Sequence, residues 1–264
     1  MVVGSWQEVA LAYISYLAVV SFTRREFVTA RPPLLIAAAV AWIAFAALGR
    51  EPLSPVLQVV IPSLVLLGGY WLSGLLFVRP NVRLERWLLS VDDRLLTRSG
   101  VLAQFHRAPA LVREYFELSY LLVYLAVPAG ATALVVSGHT NHVDRFWTIV
   151  LLAEFACYGM LPWLQTRPPR AIETCDPIAR AGIVRRLNIG LVNRASIQVN
   201  TLPSGHAAGA VATALAVGAT LPLAGIAFLV VALSISIATV VGRYHYVVDT
   251  ALGVFVAIIA WQLT

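Results

Sequence analysis

The sequence predicts an all-α, polytopic transmembrane helix bundle, and three observations carry that expectation. Hydrophobic residues make up 59% of the chain and charged residues only 12%, against roughly 25% charged in a typical soluble domain. The mean hydropathy is +0.81. Eight apolar segments approach the ~20 residues that a helix needs to cross the hydrocarbon core. They are 6–22, 33–48, 55–78, 117–137, 146–164, 204–220, 223–241 and 246–263.

Each segment has its own justification. The first has Glu8 but no basic residue ahead of it, and Arg24 and Arg25 follow; this reverses the layout of a cleaved leader and predicts a retained helix. The second is the shortest. Between the third and fourth, Val82, Trp87, Leu88, Val91 and Leu95 recur at three- and four-residue spacing opposite Arg83, Arg86, Ser90 and Arg94. That stripe predicts an amphipathic helix lying in the membrane interface. The sixth and seventh segments turn on each other at Thr220-Leu221-Pro222, so their outer ends lie on one side of the membrane. The 264 residues read as a single integral membrane domain, with accessory spans and interfacial helices in 1–116 and a catalytic helical core in 117–264.

The formal net charge is +6, and all 19 basic residues are arginines. They lie in short loops between apolar runs, which points to lipid headgroups and phosphate as partners rather than nucleic acid. Alternating the spans puts 17 arginines on one side and Arg50 and Arg145 on the other. The positive-inside rule assigns the rich side to the cytoplasm of a cell membrane. Cys157 and Cys175 lack zinc-type spacing and read as structural or free thiols.

The chemistry concentrates on the arginine-rich side. Pro203-Ser204-Gly205-His206 opens the sixth span, Arg243-Tyr244-His245-Tyr246 with Asp249 opens the eighth, and Arg167-Pro168-Pro169-Arg170 follows the fifth. His245 and Asp249 stand four apart and share a helix face, so the carboxylate can orient the ring and leave one nitrogen free to attack phosphorus. A protonated His206 can supply the leaving alkoxide with its proton. A phosphoryl group in transfer spreads charge over three oxygens. Forked donors from Arg167, Arg170 and Arg243 suit that charge, as does the helix start at Ser204 and Gly205.

Taken singly, each motif has an ordinary reading, as a helix start, a helix face or a membrane-edge anchor. Their conjunction on one face is what points to a site, because titratable groups at span ends are costly unless used. Glu154, in the middle of the fifth span, reads as a buried structural hydrogen-bond acceptor, with a place in the headgroup pocket as the alternative. His106, His139 and His142 read as solvated, with no third ligand near the last two to make a metal site.

The arginine-proline loop, Pro-Ser-Gly-His and His-x-x-x-Asp, in that order around three spans, resemble the type 2 phosphatidic acid phosphatase superfamily over 158–253, about a third of the chain. The resemblance implies a metal-independent reaction without a cofactor, in which His245 is the nucleophile of a phospho-histidine intermediate and His206 the acid. It implies a membrane phosphatase acting on a phosphate monoester or pyrophosphate of a lipid. Two positions depart from the usual pattern. Met160 and Trp163 stand seven before Arg167 and Arg170, where a lysine is customary, and Thr239 stands where an arginine precedes the nucleophile. The Arg243-Tyr244-His245-Tyr246 and Asp249 pattern is similar to the inositol phosphorylceramide synthase branch, which implies transfer of a phospho-headgroup to an alcohol as the alternative. A lipid transporter or inactive lipid-binding protein is the reading from another class.

Overall fold

The computed structural model describes residues 5–48, 53–173 and 182–264. Helices make up the fold, and the described residues contain no strand beyond a single antiparallel bridge between Thr166 and Asn200. Each of the eight apolar segments is helical: α1 (Trp6–Val20), α2 (Arg31–Leu48), α3 (Pro55–Gly74), α6 (Ala110–Val136), α7 (Val143–Gly159), α9 (Gly205–Gly218), α10 (Pro222–Val241) and α11 (Val247–Leu263). Among the described residues, four stretches are long and apolar enough to cross a membrane, namely Arg25–Ala47, Pro55–Gly74, Ala110–Val136 and Pro222–Val241. The helices Trp6–Val20, Gly205–Gly218 and Val247–Leu263 are apolar but shorter. Cys175 and Arg50 lie outside the described residues.

Helix α9 occupies the centre, packed on α6, α7, α10 and α11. Its sequence GHAAGAVATALAVG explains the position. In lipid, where apolar burial drives little association, small side chains let backbones approach and gain dispersion contacts. At the α9–α10 turn a Cβ on Gly225 would collide with the Gly218 backbone. The outer helices instead present large apolar side chains outward, such as Ile43 and Leu223.

Prolines inside spans free carbonyls that need partners. Pro62 in α3 cannot donate to the Gln58 carbonyl, and Trp147 Nε1 of α7 takes that acceptor at 2.8 Å. The bond ties α3 to α7.

Among the described residues, three further α-helices lie between the spans: α4 (Val82–Asp92), continued by one π-helical turn over Asp93–Thr97; α5 (Val101–Arg107); and α8 (Ile183–Ala195). Helix α4 is the expected amphipathic helix, capped by Asn81, whose side chain accepts the Leu84 amide. Its packing face differs from the apolar stripe. Val82, Trp87 and Leu95 are half exposed, whereas Glu85, Leu88 and Asp92 are buried against the protein. Most of the stripe faces outward, and the helix seats itself with one of its members, Leu88, flanked by two acids.

Candidate active site

Helix α10 ends in a left-handed turn. The amides of Tyr244 and His245 both donate to the Thr239 carbonyl at 2.9 Å, and Arg243 sits at φ 61°. Glycine is usual at such a helix end, so an arginine there is strained. The turn delivers His245, buried at 4% exposure, just ahead of α11. Helix α11 then starts with the Asp249 carboxylate accepting the Tyr246 amide at 3.1 Å.

Asp249 and His245 come together, although His245 lies in the turn ahead of α11 and not on the shared helix face that the spacing predicted. Their separation, 3.5 Å from Nδ1 to Oδ2, falls outside hydrogen-bond geometry, and Nδ1 has no other partner among the described residues. Asn200 holds the acid instead: its Nδ2 donates to Asp249 Oδ2 at 2.8 Å and to Thr166 Oγ1 at 3.0 Å. Burial first, and the charge of Arg170 second, push the His245 imidazole down to about 3. At neutral pH the ring is uncharged and its lone pair available.

His206 enters from the start of α9. Ser204 caps the helix by accepting the Ala207 amide at 3.4 Å, while the Gly205 amide goes to Thr201 Oγ1 at 3.3 Å. The His206 amide is the first-turn donor that the cap does not use. A Cβ on Gly205 would strike the Tyr158 ring, and one on Gly253 of α11 would strike the Ser204 carbonyl. Close approach of three helices thus sets this corner. The Ser204 amide in turn donates to the Asp249 carbonyl at 2.9 Å. The result is a pair of imidazoles with centroids 5.3 Å apart, inclined at 57°. His206 Nε2 is buried and has no hydrogen-bond partner among the described residues.

The three arginines reach different places. The Arg170 amide donates to the Arg243 carbonyl at 3.1 Å, and its guanidinium lies 5.2 Å from the Tyr244 ring. Its charge bears on His245. Arg167 closes a fork on Glu85 of α4, with Nε at 3.0 Å and Nη2 at 2.9 Å, and its amide adds a third bond at 2.8 Å. Burial alone would raise the Glu85 carboxyl; those bonds and the charge of Arg167 outweigh it and hold the group below its ordinary range. Arg243 is gripped by Asp92 of α4 at 2.7 Å and by Glu173 at 2.5 Å. Tyr246 completes the frame, its hydroxyl donating to the Arg167 carbonyl at 2.9 Å.

Sequence reasoning missed Glu85, Asp92, Asn200, Glu117 and Tyr120. The two acids of α4 are two helical turns apart and share a face with Leu88, a spacing visible in the sequence. Asn200 carries no local signal. Tyr120, in α6, stacks on His206 with centroids 5.3 Å apart and planes at 11°. Glu154 accepts a hydrogen bond from the Tyr158 hydroxyl, and its carboxylate fills the space a Cβ on Gly209 would need. Cys157 is buried in α7. His139 and His142 lie together on a turn, with centroids 6.1 Å apart. A cavity of about 240 Å³ is lined by Arg24, Glu26, Arg79 and Trp163, and neither His206 nor His245 is among its lining residues.

No curated protein and no solved structure matches this chain. The model of the PAP2 superfamily matches residues 86–263, which span all three motifs. Members of that superfamily are generally phosphoesterases, which supports a phosphatase- or phosphotransferase-type activity on phosphorylated substrates. On a match over two thirds of its length, the chain belongs to the PAP2 superfamily, the type 2 phosphatidic acid phosphatases.

Proposed function

We propose that the protein is a membrane phosphatase that hydrolyses a phosphate ester of a lipid through a phospho-histidine intermediate. The observation that carries this reading is the pair of imidazoles 5.3 Å apart beside Arg170, at the ends of apolar helices. Tails would stay in the bilayer, and the phosphoryl group would enter between the rings.

The steps follow from the residues. Neutral His245 attacks phosphorus through Nε2, since Nδ1 faces Asp249. The phosphorus–oxygen bond to the lipid breaks, and His206 passes a proton to the departing alkoxide. Asp249, held by Asn200, stabilises the positive ring of the phospho-histidine. Water, deprotonated by His206, then attacks phosphorus, releases phosphate and restores both rings. Arg170 and the His206 amide stabilise the equatorial oxygens. Arg167 and Arg243 hold the surrounding loops to α4 and border the entrance.

The second reading is a phosphotransferase in which a lipid or polyol hydroxyl replaces water. The burial of His245 favours it, because a nucleophile shielded from solvent protects its intermediate from hydrolysis.

The deciding assay is release of phosphate from a panel of phosphorylated lipids, with EDTA and with His245→Ala. Free phosphate supports the phosphatase, and label appearing on a lipid acceptor supports the transferase. Turnover that survives His245→Ala overturns both, and loss of turnover in EDTA overturns the metal-free mechanism. The arginine-rich end is proposed to face the cytoplasm of the cell membrane. Cys175, five residues beyond Arg170, is the probe: it should resist an impermeant thiol reagent in intact cells, and ready labelling reverses the orientation.

A further inference from the structure

We infer that Tyr120 and Tyr244 form an aromatic support that fixes the His206 ring for proton transfer and holds Arg170 beside both histidines, with Glu117 as its buried anchor. The inference rests on the two-histidine reading above and assigns residues outside its three motifs.

The geometry begins at α6. The ring of Tyr120 lies 3.7 Å from that of Tyr244 with planes at 10°, and 5.3 Å from His206 with planes at 11°. Three rings therefore stack in parallel, Tyr120 in the middle. Tyr124, one turn further along α6, meets the edge of His206 at 6.1 Å and 80°. His206 is thus packed by Tyr120 on a face and by Tyr124 at a steep angle, with His245 as its third ring neighbour. A ring so confined keeps one orientation toward a departing oxygen.

The far end of the stack is pinned by a charge that the proposed chemistry does not use. The Tyr244 hydroxyl donates to Glu117 Oε2 at 2.8 Å. Asn188 of α8 donates to the same oxygen at 2.7 Å, and Arg185 of α8 donates to Oε1 at 2.7 Å. Arg185 also reaches the Gly242 carbonyl at 2.8 Å, next to the strained Arg243. A carboxylate only 6% exposed is thus satisfied by three side chains from two other elements. Buried polar networks are costly unless complete, and complete ones enforce a single arrangement. The guanidinium carbons of Arg170 and Arg185 each lie 5.2 Å from the Tyr244 ring. One ring thereby places the phosphate-facing arginine and links it to the anchor.

Tyr120, Tyr244 and Glu117 are positioning residues, and their test needs a readout that general loosening would not move. The full chain in detergent micelles, with labelled histidine, is examined by NMR, His206 being assigned with His206→Gln. A His206 ring stacked on Tyr120 resonates upfield from ring current. Tyr120→Leu should remove that displacement and lower kcat about 10- to 100-fold on the best lipid of the panel, since small misplacements carry penalties of that size. KM should stay within about twofold, and Tyr120→Phe, which keeps the ring, should restore both signals. An unshifted His206 resonance in the wild type overturns the inference even if Tyr120→Leu fails to fold, and so does an unchanged kcat in Tyr120→Leu. Turnover surviving His245→Ala is a different result: it removes the two-histidine mechanism.

Discussion

Replacing Asp92 tests whether α4 is part of the site's framework or an accessory on the membrane surface. Its carboxylate accepts from Arg243 Nη1 at 2.7 Å and from the Val247 amide at 3.0 Å. The paired side chains are 10% and 2% exposed, so water screens them little. Removing one member of a buried pair typically costs about 3–5 kcal/mol, because the other charge is left without its partner. Glu173 still covers Arg243 from a side that is 38% exposed, which places Asp92→Ala near the lower end, about 3 kcal/mol. At roughly 2–4 °C per kcal/mol for a chain of this size, the apparent Tm should fall by about 6–12 °C. Asp92→Asn keeps an acceptor for Val247 and loses only the charge, so about 1.5 kcal/mol is expected. Thermal unfolding in one detergent, with Arg243→Met and the double variant, closes the cycle. A fall under about 2 °C in Asp92→Ala, or strictly additive changes, would refute the clamp.

Further outcomes follow from the same coordinates. His245 has its folded-state value lowered from 6.5 to about 3, so its contribution is fully present above pH 6.5 and is lost as pH falls toward 3; Tm measured against pH should drop less steeply across that window in His245→Gln than in the wild type. Gly209→Ala forces a methyl onto the Glu154 carboxylate and should cost about 1–3 kcal/mol. Adding Glu154→Ala should return part of that loss in the same melt, and a double variant worse than the single one contradicts the contact. Asn200→Leu removes the donor that aims Asp249, so kcat should fall about tenfold or more while KM holds, the pattern of lost transition-state stabilisation; an unchanged kcat would show that Asp249 needs no such support.

How much of this was legible in the sequence depended on the range of the interaction involved. Apolar runs determine helices locally, and all eight segments are helical, though α6 begins seven residues before the expected start. Ser204 capping α9 and the approach of His245 to Asp249 are likewise settled within one turn. The partners of the arginines are not local. Glu85 lies 82 residues from Arg167, and Asp92 lies 151 from Arg243. In the sequence both acids flank Leu88 at the border of the apolar stripe, and that spacing marks a shared face without naming the arginine loops it grips. Tyr120 and Glu117 were hidden similarly, as the first residues of an apolar span. Donor geometry also lay beyond spacing: the two groups at 245 and 249 come near, yet Asn200 takes the hydrogen bond.

The seating of α4 bears on how the protein can be cut. The family match begins at residue 86, one position after the carboxylate that holds Arg167. A fragment trimmed to that match would keep every motif histidine and still release the first arginine loop from its tether. A minimal functional unit has to begin upstream of Asn81, so that the helix is capped and both acids arrive together.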